Sequence, residues 1–225
     1  MSIIDNYNIL TDDVKRITIE NDRSLNKVDI LAVSKTHSID KLLEAAKGGV
    51  RLFGESRIQE AIPKIDAVKA IYPNTEFHYI GKIQRNKAKK LVEYFSLIHS
   101  LDRIDAAIAL NDAAFQIGKI QDVLIQLNIA REIQKNGVLP EKIDELVSSV
   151  IELPNLKLRG FMLIPPFDNE GEANRVYFRE TNNIYIKYKY LGLDILSMGM
   201  SGDYEIAISE GATLIRVGTM IFGIR

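Results

Sequence analysis

Short hydrophobic runs alternate with stretches of helical periodicity along the whole chain. Several runs are hydrophobic almost without a break, which is typical of parallel strands covered on both faces. Between them, apolar positions recur with the period of an amphipathic helix, as in residues 143–151, which Pro154 follows. The runs that predict strands are residues 28–35, 51–56, 76–81, 97–102, 122–129, 156–164, 193–200 and 213–219.

This alternation predicts an α/β protein, and the number of strands favours a single (β/α)8 TIM barrel over residues 1–225. A doubly wound open sheet would explain the alternation almost as well, but no GxGxxG motif follows the first strand. Residues 3–20 carry apolar side chains at heptad-like spacing. Since the pattern lasts only about two heptads, we expect an extra N-terminal helix that caps the barrel floor, rather than a coiled coil.

The composition narrows the classes of function. Lys and Arg number 29 against 30 Asp and Glu, so the charge gives no reason to expect nucleic acid or an anionic membrane as a partner. Cysteine is absent, which excludes disulfides and thiolate chemistry, and three histidines without paired spacing do not predict a metal centre. With no signal peptide and no long apolar stretch, we expect a soluble cytoplasmic protein.

The carboxyl end of the first predicted strand carries a lysine. In a TIM barrel the functional residues lie at the carboxyl ends of the strands. Lys35 follows the apolar residues 30–33, and desolvation there would lower its pKa and make the free amine available for a Schiff base. From position alone, a lysine that simply leaves the strand for water stays open as an alternative.

The last two predicted strands add a cation and a candidate phosphate site. Arg216 lies within an apolar strand, where a guanidinium faces the barrel interior at lower cost than the helix layer. Ser201 and Gly202 follow the seventh strand, and Gly218 and Thr219 follow the eighth. The loops after strands seven and eight are the usual phosphate site of this fold. Together with the strand-end lysine, these groups indicate a pocket for pyridoxal phosphate.

The chain resembles the pyridoxal phosphate homeostasis protein family, which shares the barrel of the alanine racemase N-terminal domain. The motifs that carry the resemblance are ILAVSKT (30–36), FGESRIQE (53–60), HYIGKIQRNK (78–87), LRGFMLIP (158–165) and SMGMSGDYEIAISEGATLIRVGTMIFG (197–223). The resemblance implies intracellular homeostasis of pyridoxal 5'-phosphate, which the protein would hold and buffer or deliver to apo-enzymes, as a monomer or a weak dimer. The implied site residues are Lys35 for the Schiff base, Arg216 at the pyridine nitrogen, and Ser201, Gly202, Gly218 and Thr219 at the phosphate.

Two positions depart from the pattern of the family. Ser56 stands where relatives usually have an asparagine, and a serine is shorter and offers one donor where an amide offers two. Arg57 stands where relatives often have an aromatic residue. His78, in the third motif, is expected to pack behind the third strand rather than to take part in chemistry.

Arg216 also bears on whether the protein is an enzyme. An arginine with a pKa above about 12 does not give a proton to a pyridine nitrogen, and an unprotonated ring is a poor electron sink. A racemase needs a second base, which a tyrosine of a following domain supplies in alanine racemases, and we expect no such domain here, since Arg225 is the last residue of the sequence. We therefore expect a cofactor-holding protein without catalytic residues. The alternative is a minimal pyridoxal phosphate-dependent amino-acid racemase.

The segment KIQRNKAKK (82–90) is rich in basic residues and raises the alternative of a nucleic-acid-binding module. No aromatic side chains are interleaved for base stacking, so we interpret it as a solvated helix face and expect no nucleic acid as partner.

Overall fold

The strands close into a barrel. The computed structural model describes residues 2–23, 28–132, 134–166 and 171–223. Within these ranges the parallel strands pair in chain order, and the last pairs with the first. The prediction of a TIM barrel is therefore confirmed against the open sheet. The single domain predicted for 1–225 includes Met1, Arg225 and further residues outside the described ranges, and it stays a prediction. The strands are β1 (Asp29–Val33), β2 (Leu52–Glu55), β3 (Glu76–Tyr79), β4 (Leu97–Leu101), β5 (Gln121–Leu127), β6 (Leu156–Leu163), β7 (Ile195–Ser197) and β8 (Leu214–Val217).

Helices surround the barrel and alternate with the strands, as the apolar periodicity predicts. Their buried faces pack on the strands, while their charged faces meet solvent. The α-helices are α1 (Ile3–Glu20), α2 (Ile39–Lys47), α3 (Ile58–Ile71), α4 (Ala88–Tyr94), α5 (Ile104–Gln116), α6 (Ile143–Ile151), α7 (Arg175–Lys187), α8 (Tyr204–Ser209) and α9 (Thr219–Phe222).

Helix α1 begins at a capping box, in which the Ser2 hydroxyl accepts from the Asp5 amide and the Asp5 carboxylate accepts from the Ser2 amide. It packs against α2, α8 and α9. Asn6 near its start donates to the carbonyl of Ile221, after β8, and Arg23 beyond its end donates to Ala212, before β8. The helix therefore runs along the side of the barrel, and the expected position on the barrel floor was wrong. Its apolar stripe is covered by other helices, not by strand ends.

The interior of the barrel is filled by side chains. Leu97 on β4, Leu124 on β5 and Met162 on β6 form a buried apolar cluster that is separate from the main core, and Ile195 on β7 packs against it. Such layers of inward side chains are typical of the fold, which has a packed core rather than a pore. Space for a ligand is consequently found at an end of the barrel.

A glycine on β6 allows this strand to pair closely with β7. Gly160 has φ +150°, and a Cβ there would overlap the carbonyl oxygen of Ile195. We expect Gly160→Ala to lower the free energy of unfolding by about 3 kcal/mol or more, because backbone strain and overlap add. Gly118→Ala is the matched control: its φ is +67°, but the space is open, so about 1 kcal/mol is expected. Urea denaturation measures both, and equal losses would contradict the close approach.

The basic segment forms a short 3₁₀ turn and the start of α4. Lys82, Arg85, Lys89 and Lys90 are exposed there, as expected for a solvated face. None of the helices in the described ranges combines the length and the apolar character needed to cross a bilayer.

Candidate functional site

A cavity of about 730 Å³ opens at the carboxyl ends of the strands. Its volume lies in the range of pockets for small molecules and cofactors. All the ligand residues that the sequence predicts line this one cavity, although they come from opposite ends of the chain. They are Lys35, Ser201, Gly202, Arg216, Gly218 and Thr219.

The lysine is presented by a turn that directly follows β1. Ser34, the residue before it, is fully buried and its amide donates to the Gly54 carbonyl on β2 at 3.0 Å. Thr36, the residue after it, has φ +68°, an uncommon conformation for a β-branched residue. Lys35 itself is half-buried in the cavity wall. The backbone on both sides of the amine is thereby held in one geometry, with strain at Thr36.

A buried ion pair lies behind this turn, and the sequence reasoning missed it. Glu55 at the end of β2 accepts from the Ser34 hydroxyl and from the Lys64 ammonium of α3, each at 2.8 Å. Lys64 also donates to the Ser34 carbonyl at 3.0 Å. Burial raises the pKa of Glu55, and the hydrogen bonds from Lys64 and Ser34 oppose this rise. The only signal in the sequence was a carboxylate inside the second motif, two residues before an arginine.

Arg216 on β8 is 4% exposed and projects into the barrel, as predicted. One terminal nitrogen donates to the carbonyl and hydroxyl of Ser197, the other to the Leu163 carbonyl, each at 2.8 Å. No ion pair of the described residues includes it, but the negative charge of Asp203 on the loop after β7 acts on it and opposes the effect of burial. Burial lowers the pKa of Arg216 to about 10. The group is still a cation at neutral pH, and its hydrogen-bond partners carry no charge.

Two loops form the other side of the cavity. Asp203 holds the loop after β7, because its carboxylate accepts from the Met200 amide at 2.6 Å and from the Asn174 side chain at 2.8 Å. The hydrogen bond between Met200 and Asp203 fixes Ser201 and Gly202, the two residues between them in the chain. On the neighbouring loop, a Cβ at Gly218 would lie 3.0 Å from the Val33 carbonyl, so a larger residue would press on the end of β1.

Gly202 offers a test of anion binding that leaves the fold intact. A Cβ there meets nothing within 4 Å. We expect Gly202→Ala to leave the free energy of unfolding unchanged but to weaken pyridoxal phosphate binding roughly tenfold, because the methyl group keeps the anion from the backbone amides. Fluorescence titration and thermal melts measure the two effects. Unaltered affinity would contradict a role of this loop in binding.

The cavity wall also contains residues that no motif or spacing in the sequence marks as ligands. His37 stacks on Phe222 with ring centroids 4.8 Å apart, and Met162 and Ile80 supply apolar surface. Ser56, the position that departs from the family pattern, lies in the wall as well. Periodicity marks such apolar residues only as core, because it does not distinguish the floor of a pocket from a packed interior.

His78 is buried, but its surroundings are polar rather than an apolar layer behind the strand. Its Nδ1 atom lies 3.1 Å from Nε2 of His99, a fully buried residue of β4. The Nδ1 atom of His99 lies 3.1 Å from the hydroxyl of Ser197 on β7. Since β4 and β7 are not neighbours, this contact crosses the barrel interior. No sequence spacing marked this set of residues.

The family to which this barrel and cavity belong is shown by comparison with known proteins. The family model "Alanine racemase, N-terminal domain" matches residues 16–225. Relatives named pyridoxal phosphate homeostasis protein include one from Aquifex aeolicus (strain VF5), 42% identical over 90% of each chain, and one from Escherichia coli (strain K12), 39% identical over 90% of this chain and 88% of the relative. The chain therefore belongs to the alanine racemase N-terminal domain family and, within it, to the pyridoxal phosphate homeostasis proteins.

A solved structure supports the same assignment. PipY of Synechococcus elongatus PCC7942, whose structure was determined with pyridoxal phosphate bound, is 33% identical to this chain. The two superpose with a TM-score of 0.83 over 93% of this chain and 99% of PipY. The resemblance stated from the motifs is thus confirmed.

Proposed function

We propose that the protein binds pyridoxal 5'-phosphate in the cavity at the carboxyl ends of the strands, as a Schiff base on Lys35, and buffers or delivers it within the cell. The observation that carries the proposal is the convergence on one cavity of an amine, a buried cation held by neutral hydrogen-bond acceptors, and two glycine-containing loops. The names of the relatives and the ligand of PipY support the same cofactor.

Each group has a distinct task in this proposal. The Lys35 amine condenses with the aldehyde, a reaction that competing amines reverse. Ser201 and Thr219 offer hydroxyl donors to the phosphate, and the glycines beside them let backbone amides approach it. Arg216 donates a hydrogen bond toward the pyridine nitrogen and, with its pKa of about 10, retains its own proton at neutral pH. Bound in this way, the cofactor would hold its aldehyde carbon masked as an imine that another amine can displace, and it would supply little electron withdrawal.

Storage and delivery are favoured over turnover by what lines the cavity. Among the described lining residues there is no tyrosine and no carboxylate. His37 is the one imidazole among the described lining residues, and it stacks on Phe222. Racemisation uses a base on each face of the substrate carbon. We propose that apo-enzymes that use pyridoxal phosphate are the recipients of the cofactor. We also propose that the protein acts in the cytoplasm, since a chain without cysteine is suited to a reducing compartment.

The experiment that tests cofactor binding is a titration of the apo-protein with pyridoxal phosphate, recorded in the visible range. Borohydride reduction followed by peptide mapping locates the attachment. We expect a new absorption band and a single modified peptide that contains Lys35. A modified peptide elsewhere, or no band, would contradict the proposal.

A racemase is the competing function, and isotope exchange separates the two. The loaded protein is incubated with L-alanine or L-serine in D₂O, and Cα deuterium and D-amino acid are measured. If the protein stores the cofactor, the rate of Cα deuteration should not exceed the rate with free pyridoxal phosphate. The cofactor should also transfer to an added apo-enzyme. Exchange at an enzymatic rate would favour the racemase.

A further inference from the structure

Four buried polar side chains form a continuous hydrogen-bonded chain through the barrel. The contacts run from Arg216 to the Ser197 hydroxyl at 2.8 Å, from there to His99 at 3.1 Å, and from His99 to His78 at 3.1 Å. Their strands are β8, β7, β4 and β3, so the chain links opposite sides of the barrel. It begins in the cavity wall and ends near Glu76, whose carboxylate lies 3.9 Å from Nε2 of His78.

The chemistry of the groups determines the direction of every hydrogen bond. A guanidinium only donates, so the Ser197 hydroxyl accepts from Arg216. The hydroxyl proton then needs an acceptor of its own, and Nδ1 of His99 is the one within reach among the described residues. With Nδ1 accepting, neutral His99 carries its proton on Nε2 and donates it to Nδ1 of His78. His78 in turn carries its proton on Nε2, which faces Glu76.

The electrostatics of the site agree with this assignment. His99 is fully buried, and desolvation, with His78 and Arg216 nearby, holds its pKa well below the usual 6.5. The residue is therefore neutral and keeps one acceptor nitrogen. An imidazolium would carry protons on both nitrogens and could no longer accept from Ser197.

The anchor of Arg216 is thus made entirely of neutral groups. Ser197 accepts twice from one guanidinium nitrogen, and the Leu163 carbonyl accepts from the other. A carboxylate partner would fix the guanidinium equally well, but it would neutralise the charge that the cavity presents. Neutral acceptors hold the group in place, while the charge of Asp203 acts on it without forming an ion pair.

We propose that Ser197 and His99 are positioning residues for Arg216: the serine hydroxyl fixes the guanidinium toward the ligand, and the histidine fixes the direction in which that hydroxyl points. The inference rests on the proposed function, since the ligand that Arg216 faces is the pyridine ring of pyridoxal phosphate. His78 completes the chain by accepting the proton of His99.

The first test examines the hydrogen-bonded chain from Arg216 to His78 in the protein without any ligand. Long-range ¹⁵N–¹H NMR of the labelled apo-protein reports the tautomer of each histidine, and His37→Asn assigns the one ring outside the chain. We expect His99 to carry its proton on Nε2 and His78 to have no proton on Nδ1, the atom that accepts from His99. A proton on Nδ1 of His99 would overturn the assigned direction.

The second test measures what the chain does for the ligand, through the dissociation constant of pyridoxal phosphate and the pH dependence of its bound spectrum. Ser197→Ala and His99→Leu should weaken binding roughly tenfold and shift the spectral transition, because Arg216 loses its fixed orientation. His99→Asn keeps an acceptor near Nδ1 and should recover part of the affinity. Ser100→Ala is the matched control: this buried serine of β4 bonds to the Gly81 carbonyl, outside the chain, and should bind within about twofold of wild type.

The outcomes separate this inference from the proposed function. If wild type binds pyridoxal phosphate while Ser197→Ala and His99→Leu match it in affinity and spectrum, the positioning role is overturned and the proposed function stands. If wild type does not bind, the proposed function fails, and the positioning role toward the pyridine ring fails with it. Equal losses in Ser100→Ala would also overturn the inference, because they would show a general effect of altering β4.

Discussion

Replacing Lys35 by alanine is expected to abolish covalent attachment of pyridoxal phosphate altogether. The amine is the group in the cavity wall that can form the Schiff base, and no other lysine of the described residues lines this cavity. Noncovalent binding should persist at lower affinity, because Arg216 and the two loops are unchanged. Borohydride reduction, mass spectrometry and the visible spectrum measure the loss directly.

The control for this variant is Lys82→Ala, which removes an exposed lysine from the loop that follows β3, at the same end of the barrel. Its attachment of pyridoxal phosphate should equal that of wild type. Full labelling of Lys35→Ala would place the Schiff base on another residue. Complete loss of noncovalent binding would show instead that the two loops contribute little.

Replacing Lys64 by methionine is expected to cost about 3–5 kcal/mol of the free energy of unfolding, because Glu55 would be left buried without its charged partner. The carboxylate is fully buried, and its second oxygen, Oε2, has no hydrogen-bond partner in the structure. Oε1 of Glu55 accepts hydrogen bonds from Ser34 and Lys64, so removal of the lysine leaves it with the Ser34 hydroxyl alone of these two donors. Urea denaturation measures the change.

The loss should depend on pH with a definite sign. Burial raises the pKa of Glu55 above its ordinary 4.5, so the folded protein binds this proton more tightly than the unfolded chain. The free energy of unfolding consequently falls as pH rises from 4.5 through the raised pKa. Without Lys64 the pKa rises further, so we expect a smaller loss at about pH 5 than at about pH 8.

Two further variants serve as controls for Lys64→Met. Glu55→Gln/Lys64→Met removes both charges and should be more stable than the single variant at about pH 8. Lys142→Met breaks an exposed pair with Glu145 and should change the free energy of unfolding by less than about 1 kcal/mol. A loss in Lys64→Met that does not vary with pH would contradict an ionised, buried Glu55.

The barrel could be predicted because each of its strands leaves a local signature. Residues 97–101 and 121–127 are almost wholly buried, and a strand buried on both faces is mainly apolar, although His99 and Ser100 are buried polar exceptions. The candidate ligands could be predicted for a related reason. A lysine after a strand and an arginine inside one, Lys35 and Arg216, are polar where the local pattern demands apolar residues.

The place of α1 could not be predicted in this way. An amphipathic helix shows that one face is covered, but its sequence does not name the surface that covers it. The contacts that hold α1 at the side of the barrel join residues far apart in the chain, such as Asn6 and Ile221. The expected floor position failed because nothing local distinguishes the two arrangements.

The sequence by itself determined the order of strands and helices, the end of the barrel at which the candidate site residues lie, and the family. Each of these follows from local patterns, since burial of a strand and the chemistry of a strand end are properties of a few consecutive residues. Only the tertiary structure decided which polar groups meet: Lys64 with Glu55 behind the lysine, and His99 with Ser197 behind the arginine. Those pairs depend on closure of the barrel, which brings strands far apart in the chain within hydrogen-bond distance across a common interior.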